Sequence, residues 1–166
     1  EDSVRADVNA IYRGLLEARW FWAALGTFER NDELGIDLRT LGGAGYGRFL
    51  AQTGRTLWSA TGGLAVVNEQ LAGDEDAQTS VEALFNTDYE FFTYDTPKTT
   101  LTTSLTVFPS LTESGRVRSQ LDFALRRELI TDLFVEISVY DSYDSKPPED
   151  GEKNDYGIVT SLGYTF

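Results

Sequence analysis

The chain has 166 residues, 41% of them hydrophobic and 13% aromatic, and 27 acidic against 14 basic side chains give a formal net charge of -13. That length and apolar content fit one folded domain with a substantial core rather than a disordered chain. The acidic balance speaks against nucleic-acid binding, which needs a basic face; with no Cys and no His, disulfides, thiolate chemistry and imidazole-based triads are excluded.

The predicted elements are strands from one end to the other. Residues 3 to 13 fit two patterns: Val4, Ala6, Val8, Ala10 and Tyr12 alternate, while Val4, Val8, Ile11, Tyr12, Leu15 and Leu16 recur at helical spacing. Strand is preferred because every later segment alternates. Arg13 to Ala18 then turn the chain, and Arg19 to Arg30 form the second strand, with Trp20, Trp22, Ala24 and Phe28 on one face. A turn from Asn31 to Gly35 leads into a long strand, Ile36 to Ala51. Thr53-Gly54-Arg55 reverse it into Thr56 to Gln70. The acidic loop Gly73-Asp74-Glu75-Asp76 precedes a fifth strand, Thr79 to Tyr94, which ends at Asp95-Thr96-Pro97-Lys98. Thr99 to Leu111, Arg116 to Arg127 and Asp132 to Tyr143 are the sixth to eighth strands, with turns at Glu113-Ser114-Gly115 and at Leu129 to Thr131. Lys146 to Asn154 is the longest loop, and Asp155 to Phe166 closes the chain. About nine strands joined by short turns make an all-β, antiparallel, up-and-down meander in a single domain, 1–166.

The closing strand is the most telling. Tyr156, Ile158, Thr160, Leu162, Tyr164 and Phe166 share one face; Gly157, Val159, Ser161, Gly163 and Thr165 share the other. An aromatic-edged strand with a terminal Phe is the pattern of the last strand of a transmembrane β-barrel, whose aromatic residues sit at the membrane interface. Strand lengths agree, since tilted membrane strands need about 9–11 residues to cross. The three lysines, Lys98, Lys146 and Lys153, all fall in turns, whereas the water-facing side of a soluble sheet is normally rich in Lys and Glu.

The polar faces identify the inside. Val81, Ala83, Phe85, Tyr89 and Phe91 oppose Glu82, Asn86, Asp88 and Glu90; Leu101, Leu105 and Val107 oppose Thr102, Ser104 and Thr106. Val117, Ser119, Leu121, Phe123 and Leu125 oppose Arg118, Gln120, Asp122, Ala124 and Arg126; Leu133, Val135, Ile137 and Val139 oppose Phe134, Glu136, Ser138 and Tyr140. Mixed Arg and carboxylate faces suit a narrow lumen in which charges pair, with the apolar faces turned to lipid. The expected lumen charge network is Arg39, Glu82, Asp88, Glu90, Arg118, Asp122, Arg126 and Glu136. The alternative is a soluble lipocalin-like barrel whose apolar faces line a pocket for a small apolar ligand.

Tyr140-Asp141-Ser142-Tyr143-Asp144-Ser145-Lys146-Pro147-Pro148, Asp155 and Ser161-Leu162-Gly163-Tyr164-Thr165-Phe166 resemble the end of the salt-induced outer-membrane proteins, domain-of-unknown-function family 481. Arg19-Trp20-Phe21, Arg39 before Gly43-Ala44-Gly45-Tyr46-Gly47, Asn68-Glu69 and Phe108-Pro109-Ser110-Leu111 extend the similarity over nearly the whole chain. The resemblance implies a transmembrane β-barrel in the outer membrane of Gram-negative bacteria; it implies no known activity and supplies no catalytic residues to carry over. Implied partners are outer-membrane lipid and lipopolysaccharide and the barrel-assembly machinery, which would read Tyr164 and Phe166; homo- or hetero-oligomerisation stays open. Family members carry further strands before the position of Ser3, and bacterial single-chain barrels have even strand numbers. The expectation is therefore a barrel of ten to twelve strands lacking some N-terminal ones here, or a count off by one. A periplasmic C-terminus would put loops 144–154, 112–116, 72–78 and 31–35 outside the cell, and turns 128–131, 95–98, 52–55 and 14–18 in the periplasm.

No enzyme is expected. Leu41-Gly42-Gly43-Ala44-Gly45-Tyr46-Gly47 lacks the Gly-Lys-Ser/Thr and the strand-to-helix setting of a phosphate loop; glycines in a barrel strand relieve crowding and take aromatic cover. Carboxylate pairs such as Asp88 with Glu90, or Asp122 with Glu136, could serve acid–base chemistry, but Arg39, Arg118 and Arg126 match them as structural ion pairs. Asp74, Glu75, Asp76, Asp141, Asp144, Glu149 and Asp150 could hold a hard cation weakly, but lack calcium-loop spacing and read as solvated loops. No cofactor or metal is expected.

Overall fold

A computed structural model describes residues 5–31, 36–71, 77–147 and 152–164. They form one nine-stranded antiparallel sheet in strict sequence order. The strands are β1 (Arg5–Leu15), β2 (Trp20–Asn31), β3 (Ile36–Gln52), β4 (Thr56–Leu71), β5 (Gln78–Thr93), β6 (Thr99–Pro109), β7 (Val117–Ile130), β8 (Leu133–Asp144) and β9 (Asn154–Tyr164). A single 3-10 turn, Glu17–Arg19, joins β1 to β2. The doubtful first segment is thus a strand, paired along its whole length with β2.

Two boundaries move for local reasons. β6 is named to Pro109, but its pairing runs a little further: Ser110 bridges Glu82 in register and donates its N–H to the carbonyl of Arg116, and Leu111 donates to Val81. The expected turn at Leu129 to Thr131 is tighter. β7 continues to Ile130 through a bulge near Glu128, and Asp132 takes φ 65°, a left-handed conformation that Asp tolerates in a short hairpin.

The sheet curls steeply. Asn31 on β2 donates to Asp155 on β9 at 2.8 Å, although seven strand spacings laid flat would separate them by about 34 Å. Arg39 on β3 likewise lies 3.6 Å from Asp144 on β8. The curl is not a closed ring, because β1 and β9 are the two edges and do not pair with each other.

Curvature explains the glycine run in β3. Gly45 and Gly63 face each other on the concave side, and a Cβ on Gly45 would lie 2.5 Å from the carbonyl oxygen of Gly62. The two backbones can approach that closely only without side chains. Gly47 lies beneath the Phe21 ring, Gly157 beneath Tyr140 and Gly163 beneath Phe134.

Candidate functional site

The register sorts every strand residue onto one of two faces. The convex face carries Tyr12, Trp22, Phe28, Tyr46, Leu64, Val66, Phe85, Leu105, Ile137, Ile158 and Leu162, all exposed. Its charged side chains, such as Arg30, Arg48, Arg127 and Asp141, sit near strand ends. On the convex side of β5 the residues from Val81 to Phe91 are apolar apart from Thr87, with Thr79 and Thr93 beyond them. Ten residue steps span about 33 Å along the strand, or about 25 Å in height at the usual barrel tilt of about 40°.

The concave face holds all eight residues of the expected network, because Arg39, Glu82, Asp88, Glu90, Arg118, Asp122, Arg126 and Glu136 have the same parity relative to the ladder. They do not form one network. They divide by height into a sealed end and an open end.

At the end from which the longer loops leave, Arg118 makes two bonds to Glu82, Nε to Oε1 at 3.0 Å and Nη2 to Oε2 at 2.6 Å. Glu82 is 1% exposed and Arg118 4%, so each charge is tolerable only because of the other. Arg39 is equally buried but pairs with residues outside the expected set: Glu29 at 3.0 Å and Glu69 at 2.8 Å, with Asp144 at 3.6 Å. Arg116, which lies in the loop before β7, reaches over the same group to Asp144 at 2.6 Å and Glu69 at 3.1 Å. Burial works against its charge, but the bonds and fields of Asp144 and Glu69 outweigh burial and raise its pKa. Asp144 is therefore a buried ion-pair partner rather than a solvated loop residue. Directly below lies a small apolar layer of Leu41, Ala65, Val67, Leu84 and Phe108, with Arg118 stacked 5.1 Å from the centre of the Phe108 ring.

Halfway down, Asp88 is held by Arg13, by Ser104 at 2.8 Å and by Asn86 at 3.2 Å; Asp122 lies level with Ser104 and Tyr140 in the ladder. At the short-turn end the face opens into two adjoining cavities of about 500 and 510 Å³, with Thr102 and Ala124 lining both. Glu90 and Glu136 face them. Arg126 opposes Glu136 in register, yet its guanidinium lies over the Phe134 ring, 3.3 Å from the centroid.

Sequence reasoning missed Glu29, Arg116, Asn31, Asp155 and Arg13 as members of this face and gave Glu69 and Asp144 other roles. Parity would have found most of them, since each strand member lies on the inward set of its own strand. Arg116, at the expected start of the seventh strand, also shares the parity of Arg118; its reach to Glu69 and Asp144 depends on the curl of the sheet. Asp74, Glu75, Asp76, Glu149, Asp150 and Phe166 lie outside the described residues; Tyr164 ends β9 on the convex face. Among the described residues no acidic group of three or more is placed to hold a metal ion. Among the same residues no helix is long and apolar enough to cross a membrane, which says nothing of strands.

The chain matches over residues 1–166 the family model described as protein of unknown function, DUF481. It belongs to that family, as the resemblance implied; the description names no location or activity. No curated protein and no solved structure matches it.

Proposed function

We propose that this DUF481 member is an outer-membrane β-barrel protein without enzymatic activity, structural or a narrow channel occluded at its loop end. The observation that carries the proposal is the pairing of an exposed apolar convex face with a concave face that buries matched charges. A mostly apolar band about 25 Å high matches the lipid-facing band of such barrels. Aromatic residues toward the short turns, Trp20, Trp22, Trp58 and Tyr89 among them, suit an interfacial girdle. The lipocalin-like alternative needs the apolar faces to line a pocket, and here they point the other way.

In this reading lipid and lipopolysaccharide cover the convex face, and the assembly machinery engages the β9 edge. The layer of Glu29, Arg39, Glu69, Glu82, Arg116, Arg118 and Asp144 blocks the interior. Barrels of about eight strands are filled by side chains, and open aqueous pores need about sixteen.

The test is reconstitution. The protein should require detergent to stay dispersed and, in planar bilayers, should show little or no steady conductance. Monodispersity in plain buffer would remove the membrane reading, and porin-like conductance would remove the occlusion.

A further inference from the structure

The interior does not stop at the two cavities of the short-turn end. Two smaller ones, of about 180 and 130 Å³, continue it toward the loop end. Neighbouring cavities share parts of their walls. Arg13, Asp88 and Ser104 line both the 500 Å³ cavity and the 180 Å³ one. Asn9, Thr27 and Gln120 line both the 180 Å³ cavity and the last one, which ends at Glu29. The last cavity is lined from β1, β2, β7 and β8, and Asn9, Thr27, Gln120, Asp122 and Ser142 give it polar walls. Its 130 Å³ is well above the about 10–15 Å³ that one water needs.

The apolar layer lies to one side of this route, on β3 to β6. Leu41, Ala65 and Val67 line none of the four cavities, and Leu84 and Phe108 only edge the third. Of the charged layer that blocks the loop end, only Glu29 lines the route. Glu29 is 6% exposed and accepts from Arg39 at 3.0 Å. Two residues further along β2, Asn31 donates to Asp155 at 2.8 Å, and both are buried, which closes the same side above Glu29. Arg39 Nε is buried without a hydrogen-bond partner among the described residues, so the pair keeps one donor for water that reaches it.

We infer that water and small ions reach the seal from the short-turn side only, along this polar route beside the apolar layer, and that the Glu29–Arg39 ion pair is the gate at its inner end. Arg118 and Glu82 line none of the four cavities, so separating them strands two buried charges. When Glu29 and Arg39 separate, Glu29 stays against a polar cavity, which lowers the cost. That the two ends of the sheet face different compartments rests on the barrel reading proposed above.

The chain has no Cys, so introduced thiols report access without background. The full chain in lipid vesicles is exposed to a membrane-impermeant, cationic methanethiosulfonate, and mass spectrometry counts the labels on each molecule. Thr27→Cys marks the inner route and Ser114→Cys the loop side. Gly54→Cys marks the short-turn side, where an added Cβ meets nothing within 4 Å. Thr27→Cys with Gly54→Cys should give molecules with both labels or none, whichever way each inserts. Thr27→Cys with Ser114→Cys should give one label on every molecule. Adding Glu29→Ala to the second pair should bring a second label, and Glu29→Gln, which keeps the shape and removes the charge, should do so more slowly. Val67→Ala, in the apolar layer, should bring none. Circular dichroism confirms that the variants fold. A Thr27→Cys that stays unlabelled, or that is labelled together with Ser114→Cys while Glu29 is intact, overturns the route. One label per molecule in both Glu29 variants, or a second label in Val67→Ala, overturns the gate. Failure of the barrel reading appears separately, as two labels on one molecule of Gly54→Cys with Ser114→Cys.

Discussion

The loop end and the short-turn end of the concave face are built from the same alternating strands, and both mix Arg with Asp and Glu. At the loop end each guanidinium has found a carboxylate: Arg118 with Glu82, Arg39 with Glu29 and Glu69, Arg116 with Asp144. At the turn end Glu90 and Glu136 have found none, and Arg126 rests on a ring. The difference lies in what reaches across the curl. Arg116 and Asp144 bring charges from the loop before β7 and from β8 over to β3 and β4 at one end, whereas toward the other the crossing is the single Arg13–Asp88 pair, which is less buried. A buried charge must be matched, whereas a charge facing a wet cavity need not be. The sealed end is thus committed to structure, and the charges of the open end are left to water.

The largest effect should come from breaking the most buried pair. Arg118→Ala leaves Glu82 charged and enclosed, which costs about 3–5 kcal/mol. Urea unfolding in lipid vesicles should show the loss. Combining Arg118→Met with Glu82→Leu removes both charges and should return stability to the wild-type level or above it. If the double variant is as unstable as the single one, the seal is not an ion-pair device.

A somewhat smaller effect is expected at Arg116. Its removal leaves Asp144 with the 3.6 Å contact to Arg39 and loosens the cover from one side, at about 1–3 kcal/mol for an under-satisfied buried acceptor. In planar bilayers Arg116→Ala should leak small ions where the wild type does not. A tight variant would place the barrier lower, in the apolar layer of Leu41, Val67 and Leu84.

Comparable in size is a backbone test of the bend that separates the two regions. Gly45→Ala pushes a methyl into the Gly62 carbonyl, an overpacking of about 1–3 kcal/mol. Gly42→Ala, three residues away on the convex face, meets nothing within 4 Å and should be silent in the same unfolding assay. Equal effects would mean that the curl does not depend on close approach at Gly45.

The strands and their faces were legible because alternation is local: a residue's parity fixes its face before any partner is known. That is why the eight expected network residues share one face. Their partners were not legible, because Arg39 meets Asp144 only after five strand spacings have curled round, and curvature is a property of the whole sheet. Glu29 and Glu69 had the right parity beside Arg39 but were read as part of their own strands. Arg116 sat at a predicted strand start with the parity of Arg118, but that it spans to Glu69 and Asp144 follows from the curl and was not legible either.

The smallest effect should be at Arg126, and its smallness is the sharpest check on the contrast. In the sequence Arg118 and Arg126 are equivalent, eight residues apart on the same face of β7. In the folded chain Arg118 is enclosed by Glu82 and Phe108, while Arg126 is exposed over Phe134. An exposed cation–ring contact is worth about 0.5–1 kcal/mol, so Arg126→Ala should lower stability by no more than that. It should also leave conductance unchanged, since the seal is elsewhere. The two arginine variants, measured side by side by urea unfolding, should differ by about 2–4 kcal/mol. A loss at Arg126 as large as that at Arg118 would mean that Glu136 is its buried partner, and the two ends would then be one network.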